Sequence, residues 1–159
     1  MEMPVFTIRG KNHRERGVDY GVQCKELIQG VLERYIRFFN GGHTAVSWDE
    51  AKVISKEFLP FIHSYSPELL DELEGIAQGA DVEFDDLLTL NSRSEAMTLV
   101  RRPPSDKEEL DGCSSVAVLP DASANGHTIL AQNWDTYTWQ EYGTVILQIL
   151  RDDLSLIHI

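Results

Sequence analysis

The segment VRRPPSDKEELDG, residues 100–112, divides the chain of 159 residues into two parts with different hydrophobic periods. Its adjacent prolines and its run of charge cannot continue a helix or fill a core, so it predicts a loop. Before it, apolar residues recur at the spacing of a helix face. After it, they alternate, which is typical of strands. The change predicts an α+β fold, with helices first and consecutive antiparallel strands after them.

Helices are predicted at four places before this break. The first helix covers residues 18–39 and ends at the sequence NGG, because glycine suits the left-handed conformation that follows many helices. The sequence SWDE, which starts at Ser47, matches a capping box and begins the second helix. The third begins at Pro67 and ends at Gly79, and Asp81 is predicted to cap the fourth.

Strands are predicted at three places after the break. The first covers residues 113–119, and the sequence PDASANG then contains an Asn-Gly pair, a strong hairpin signal before a second strand at residues 127–134. The third, TVILQIL, is apolar on both faces, as in a strand covered by two layers. Three strands and one layer of helices cannot cover both faces of a sheet. This predicts that the chain is the N-terminal part of a longer protein, or that a partner covers the open face. The alternative is a small three-stranded α+β domain with an irregular tail.

Composition narrows the classes of function. The net charge of −12 argues against nucleic acid or an anionic membrane surface as a partner, since both require basic patches. No apolar run reaches the roughly 20 residues of a membrane span, and the N-terminus lacks the order of a signal peptide. Two cysteines are too few for a disulfide framework, which favours a reducing compartment and predicts a cytoplasmic location. An organelle-targeting signal near the natural C-terminus stays compatible with these observations.

Metal chemistry is not predicted either. Neither Cys24 nor Cys113 has a second cysteine or a histidine at metal-ligand spacing, and the motifs HExxH and CxxC are absent from the sequence. The five histidines are scattered along the chain. We therefore expect no metal.

Cys113 is the candidate nucleophile, because it opens the first predicted strand directly after Gly112. A thiol with the ordinary pKa of ~8.5 is mostly protonated at neutral pH and needs a base. Cleavage of the Gly112–Cys113 bond would supply one, because it frees the α-amino group of Cys113, whose typical pKa is ~7.7–8.0. Gly112 has no Cβ to block attack of the thiol on its carbonyl carbon. The alternative is a turn followed by a small buried cysteine, since free cysteines are often buried.

Polar residues at the end of the second strand are the candidate partners of this thiol. A hairpin would return the end of LAQNWD to the start of the first strand, where Cys113 lies. Asp135 would then hydrogen-bond the thiol or the new amine, and Gln132 and Asn133 are candidate pocket residues. The alternative for Asp135 is a turn or capping role, which most aspartates after strands have.

The motifs DGCSS and AQNWD resemble those of the acyl-coenzyme A:6-aminopenicillanic acid acyltransferases, also called isopenicillin N acyltransferases. These enzymes and their relatives form the C45 peptidase group of N-terminal nucleophile hydrolases. RGKNHRERGVDYG resembles the glycine-punctuated opening of the family, and ELEGIAQGADVEFDDLLTLNSRSE resembles its glycine-containing helix, turn and L-N-x-R-x-E segment. The resemblance therefore runs along most of the chain in order.

The resemblance implies a self-cleaving precursor with an αββα sandwich, of which this chain would hold only the first strands. Residues 1–112 would be the helical pro-region or small subunit, and residues 113–159 the start of the large subunit, paired with it after cleavage between Gly112 and Cys113. Asp135 falls at the acid that supports the nucleophile and its amine. Gln132 stands where the related bile-salt hydrolases carry arginine, so the acyltransferase branch is the better match.

The substrates that the resemblance implies are small-molecule amides or thioesters, acyl-coenzyme A among them. The enzyme would take the acyl group onto Cys113 and pass it to an amine or to water, without a cofactor. The oxyanion-stabilising asparagine and the late pocket residues of the family have no counterpart in this chain. Because loss of an oxyanion donor costs about two to four kcal/mol of transition-state stabilisation, we expect the chain alone to be inactive.

Two other functions stay open from the residues alone. One is a non-enzymatic, acidic helical module whose hairpin pairs with another chain, for which an exposed apolar strand would predict oligomers or aggregation. The other is a papain-like hydrolase that combines Cys113 with one of the histidines.

Overall fold

The computed structural model describes residues 3–99 and 113–150, together with the backbone of residues 156–158. The chain divides into two units, one made of residues 1–102 and 141–159 and the other of residues 103–140. The predicted loop at residues 100–112 lies outside the described residues. The boundary between a small and a large subunit at this position stays a prediction, whereas the α+β class is confirmed.

The first unit consists of seven α-helices and three strands in its described residues. They are β1 (Val5–Ile8), α1 (His13–Gln23), α2 (Lys25–Phe38), α3 (Trp48–Lys56), α4 (Leu59–Tyr65), α5 (Pro67–Ala80), α6 (Phe84–Asn91), α7 (Arg93–Leu99), β4 (Ile146–Leu150) and β5 (Leu156–His158). The second unit contains the remaining described strands, β2 (Ser114–Val118) and β3 (Ile129–Asn133). None of the described helices combines the length and the apolar character that a membrane crossing requires.

The sheet of the first unit joins distant parts of the chain. Its order is β1-β4-β5, with β1 parallel to β4 and β5 antiparallel to β4. The prediction that TVILQIL forms a strand is confirmed by β4. The prediction that it continues an antiparallel series after the hairpin is wrong, because β4 pairs with β1. The four residues of β1 are too short to show a period in the sequence, so this strand was not predicted.

The predicted helix over residues 18–39 is also wrong in its extent. The chain forms two helices there, and the break falls at Cys24, whose φ and ψ are −107° and 15°. Apolar residues keep their helical spacing across this break, so periodicity does not reveal it. The predicted end at NGG is confirmed, since α2 passes into one π-helical turn, Phe39–His43, in which Gly42 has a φ of 78°.

Helix α5 begins at Pro67 as predicted but does not end at Gly79. It continues to Ala80, and Asp81 follows it in the left-handed conformation with a φ of 58°. Asp81 therefore ends α5 and does not cap α6, whose first turn is preceded by Glu83. Gly79 has a packing role instead, because a Cβ on it would lie 2.3 Å from the carbonyl oxygen of Val18 in α1.

Helices α1 and α5 pack with their backbones in contact. Both helices carry two glycines four residues apart, and these are Gly17, Gly21, Gly75 and Gly79. A Cβ on Gly17 would lie 2.1 Å from the carbonyl oxygen of Glu72, and a Cβ on Gly75 would lie 2.3 Å from that of Arg14. No side chain larger than hydrogen fits at these positions. The adjoining core contains the buried residues Cys24, Ile28, Ala77, Ala80 and Leu87.

The capping box predicted at SWDE is confirmed at the start of α3. The Ser47 hydroxyl accepts a hydrogen bond from the Glu50 backbone N–H at 3.3 Å, and the Glu50 carboxylate accepts one from the Ser47 backbone N–H at 2.8 Å. Hydrogen bonds from the Ser47 backbone and then from its hydroxyl hold the pKa of Glu50 below its ordinary value of 4.5.

We expect Ser47→Ala to lower the free energy of unfolding by about 1 kcal/mol at neutral pH, as loss of a serine cap usually does. The depressed pKa of Glu50 contributes stability above its unfolded value of 4.5, and this contribution is lost as the pH falls through the folded value. Ser47→Ala keeps the backbone N–H that lowers the pKa of Glu50 most and removes only the hydroxyl bond, so the difference from wild type should narrow only slightly in acid. Urea unfolding at neutral and acidic pH measures it, with Ser64→Ala on exposed α4 as the control. A difference that widens as the pH falls would contradict stabilisation of the Glu50 carboxylate by the Ser47 hydroxyl.

Candidate active site

The candidate active site lies at the open end of the β2–β3 hairpin. The two strands are antiparallel, with Ser114 opposite Asn133 and Ser115 opposite Gln132. Cys113 directly precedes β2, and Asp135 lies two residues beyond the end of β3. The register therefore brings the predicted nucleophile and the predicted acid to the same end of the hairpin, as the sequence indicated.

The chain reverses at the other end of the hairpin, between Val118 and Ile129. A single 3-10 turn, Pro120–Ala122, starts the connection. Gly126 then adopts a positive φ of 69°, and the Asn125 side chain accepts a hydrogen bond from the His127 backbone N–H at 3.2 Å. The reversal is spread over residues 119–128, and Asn125 does not share the positive φ of Gly126, so it is not a two-residue Asn-Gly turn. The predicted hairpin is confirmed.

Cys113 is exposed, whereas the alternative of a packing role required a buried thiol. Cys24, in contrast, is buried in the core of the first unit, and burial raises the pKa of its thiol to about 11. Cys24 is therefore protonated at neutral pH and shielded from substrate. Of the two cysteines, Cys113 alone has the accessibility that a nucleophile requires.

Asp135 is oriented by its neighbour on β3. The Asn133 side-chain amide donates a hydrogen bond to the Asp135 carboxylate at 3.3 Å. Both residues are exposed, as is Gln132, and none of the described hydrogen bonds joins Asp135 to Cys113. Asn133, predicted as a pocket residue, thus contacts the predicted acid, a role that the sequence did not reveal. Gly112 lies outside the described residues, and its predicted role in cleavage stays a prediction.

Gln132 lies on the opposite face of the hairpin from Asn133. Directly opposite residues of paired strands share a face, so Gln132 lies with Ser115 and Asn133 lies with Ser114. A shallow depression of about 300 Å³ runs along the hairpin, lined by Ser115, Val116, Ala117, Leu130, Ala131 and Gln132. Gln132 is therefore the predicted pocket residue that lines an observed depression.

No histidine accompanies Cys113 at its end of the hairpin. His127 is the only histidine in residues 103–140, and it lies beside the turn, before β3. The length of β2 separates it from Cys113, which at about 3.4 Å per residue is on the order of 15 Å. This unit therefore contains no cysteine–histidine pair of the papain type. Among the described residues no group of histidine, cysteine and carboxylate side chains could hold a metal ion.

An exposed thiol at the start of one strand and a carboxylate beyond the end of the next define a candidate site for cysteine-dependent acyl transfer. No family model matches the chain. Two curated enzymes are nevertheless similar to it in sequence. The chain is 28% identical over 158 residues to the beta-alanyl-dopamine/carcinine hydrolase of Drosophila melanogaster, covering 94% of this chain and 38% of that enzyme.

The second relative is the acyl-coenzyme A:6-aminopenicillanic-acid-acyltransferase 40 kDa form of Emericella nidulans. It is 29% identical to the chain over 144 residues, covering 87% of this chain and 37% of that enzyme. The two similarities confirm the resemblance to the isopenicillin N acyltransferases and their relatives that the motifs indicated. The chain spans less than two fifths of the length of the curated relatives it matches.

Proposed function

We propose that this chain supplies the nucleophile of a self-cleaving cysteine enzyme that transfers acyl groups or hydrolyses amides. The relatives' names support the reaction class, since one is a hydrolase and the other an acyltransferase. The observation that carries the proposal is the hairpin register, which brings exposed Cys113 and Asp135 to one end of the second unit.

The proposed activation starts with attack of the Cys113 sulfur on the carbonyl carbon of Gly112. A C–S bond forms, the peptide C–N bond breaks, and the nitrogen of Cys113 takes the thiol proton to become a free amine. Water then hydrolyses the resulting thioester, which releases the Gly112 carboxylate and restores the thiol. The reaction requires an accessible thiol, which Cys113 has.

In the mature enzyme the free amine of Cys113 would act as the base for its own thiol. Asp135, held by Asn133, would hydrogen-bond the amine or the thiol and keep it in place. The acyl group of an amide or of a thioester such as acyl-coenzyme A would move to the sulfur and then to an amine or water. Carcinine, and acyl-coenzyme A with 6-aminopenicillanic acid, are the first substrates to test, because the relatives' names contain them.

The sheet of the first unit supports the proposal that the two pieces stay paired after cleavage. Strand β1 precedes the proposed cut, and its partner β4 follows it, with four residue pairs between them. The Arg34 guanidinium on α2 also lies 3.7 Å from the centre of the Tyr142 ring, which again joins the two sides of the cut. We expect these contacts to hold both pieces together without a covalent link.

Intact mass spectrometry of the protein expressed from its complete reading frame tests the proposal. We expect two masses, for a piece that ends at Gly112 and a piece that begins at Cys113, that co-elute under native conditions. Cys113→Ala should leave one uncut mass and no activity, and Cys24→Ala should still be cut, because that thiol is buried and protonated. A single uncut mass in a fully active wild-type protein would refute self-cleavage.

A further inference from the structure

Arg16, in the first turns of α1, is the only charged side chain among the described residues that is buried. Its exposed fraction is 8%, and the other buried polar residues of this part of the chain are Ser55 and Thr89. Its stem lies against the loop between β1 and α1, since a Cβ on Gly10 would lie 2.9 Å from the Arg16 Cγ. Arginine is rarely buried unless its charge is paired.

Arg16 has no carboxylate partner among the described residues, although the chain holds 26 acidic and only 14 basic residues. More exposed cations do have such partners. Arg14 pairs with Glu74 on α5, and Lys52 pairs with Asp86 on α6. A shortage of carboxylates therefore does not explain the unpaired guanidinium. No fully buried side-chain nitrogen or oxygen in the described part lacks a partner, so the guanidinium nitrogens keep some access to solvent.

The charged groups near Arg16 favour a bound anion, and they favour one with a single negative charge. Arg9 and Lys11, in the same loop, have no ion-pair partner in the described part of the chain either. Two backbone donors here are already engaged, because the Asn12 side chain accepts from the Glu15 N–H and the Glu15 carboxylate accepts from the Lys11 N–H. The Glu15 carboxylate would repel a dianion. One free guanidinium in this setting suits a monoanion.

We propose that Arg16 binds the carboxylate of a small-molecule ligand at the junction of β1 and α1. The planar guanidinium offers two parallel N–H donors that match the two oxygens of a carboxylate. The negative charge of the ligand would form an ion pair with the buried guanidinium. The loop leaves room for the Arg16 stem because Gly10 has no side chain. This inference does not depend on the proposed function of Cys113.

Thermal unfolding in sodium acetate, against sodium chloride at equal ionic strength, tests this proposal. Acetate should raise the unfolding temperature of wild type and of the control Arg14→Met, which removes a neighbouring cation already paired with Glu74. Arg16→Met should lose most of this acetate-dependent shift, and Arg16→Lys should retain only part of it, because lysine lacks the planar pair of donors. An equal acetate response in Arg16→Met would overturn the proposal.

Two further measurements keep the proposal testable if Arg16→Met does not fold. In wild-type protein the Nε–Hε resonance of Arg16 should move on titration with acetate, and that of Arg37 on α2 should not. An unmoved Arg16 resonance would overturn the proposal. Inorganic phosphate should shift the resonance less than acetate does, and a larger shift with phosphate would overturn the assignment of a carboxylate.

Discussion

Gly17→Ala is expected to lower the free energy of unfolding by about 3 kcal/mol, at the upper end of the usual cost of overpacking. The added Cβ would lie 2.1 Å from the carbonyl oxygen of Glu72, in the backbone of α5. No rotamer change relieves this contact, because the backbone fixes the position of the Cβ and its partner is a main-chain oxygen. The two helices must move apart, and the opposing glycine contacts at Gly21, Gly75 and Gly79 are then loosened as well.

The predicted loss of stability is opposite in sign to the usual effect of replacing glycine with alanine in a helix. At an exposed helical site, replacing glycine with alanine stabilises by up to about 1 kcal/mol, since alanine is the better helix former. Urea unfolding followed by circular dichroism measures the change, with Gly41→Ala as the matched control. A Cβ on Gly41 would meet only the His43 ring, at 3.2 Å. Wild-type or higher stability of Gly17→Ala would show that α1 and α5 do not pack through their backbones.

Asp135→Asn is expected to reduce turnover of the substrates proposed above by about 100- to 1,000-fold, a loss comparable to that of one oxyanion-hole donor. The neutral amide keeps the size of the side chain but cannot pair with an ammonium group. Self-cleavage should slow as well, since it uses the same thiol. Assays need the protein from its complete reading frame, with the rate of cleavage measured by mass spectrometry.

Asp121→Asn is the matched control, because Asp121 is exposed and lies in the turn at the far end of the same hairpin. It should leave turnover and cleavage unchanged. Asn133→Ala should give an intermediate loss, because it removes only the hydrogen bond that orients Asp135. Equal activity of Asp135→Asn and wild type would exclude Asp135 from the chemistry and return it to a turn role.

The hairpin that carries the candidate site was predicted from local signals, the alternation of its strands and its turn residues. Gly126 takes a positive φ and the Asn125 side chain accepts from the His127 N–H, within a reversal that covers residues 119–128. Once the register is set, Cys113 and Asp135 come to the same end of the hairpin because strands rise by a constant step. The Asn133 contact with Asp135 was missed, since a side-chain rotamer is not encoded by periodicity.

The sequence predicted the helix ends that have a local chemical cause and missed one that depends on a distant segment. The capping box at Ser47 and the proline at the start of α5 use hydrogen bonds and backbone constraints within four residues, so they were predicted correctly. Gly79 was predicted to end α5 on the same local reasoning, and this was wrong. Its absent side chain makes room for α1, and the stabilising contact comes from a segment some 60 residues earlier in the chain.

Long-range pairing explains the remaining differences. Strand β1 pairs with β4 across 141 residues, as in Thr7 opposite Gln148, and no local pattern in its four residues indicates this partner. The break at Cys24 also reflects long-range contacts. The glycines of α1 pack against α5, whereas Ile28 of α2 packs into the core. Residue chemistry alone was enough for the capping box at Ser47, the start of α5 and the hairpin. The pairing of distant segments depends on the burial of all of them together. Only the folded structure therefore shows which segments are in contact.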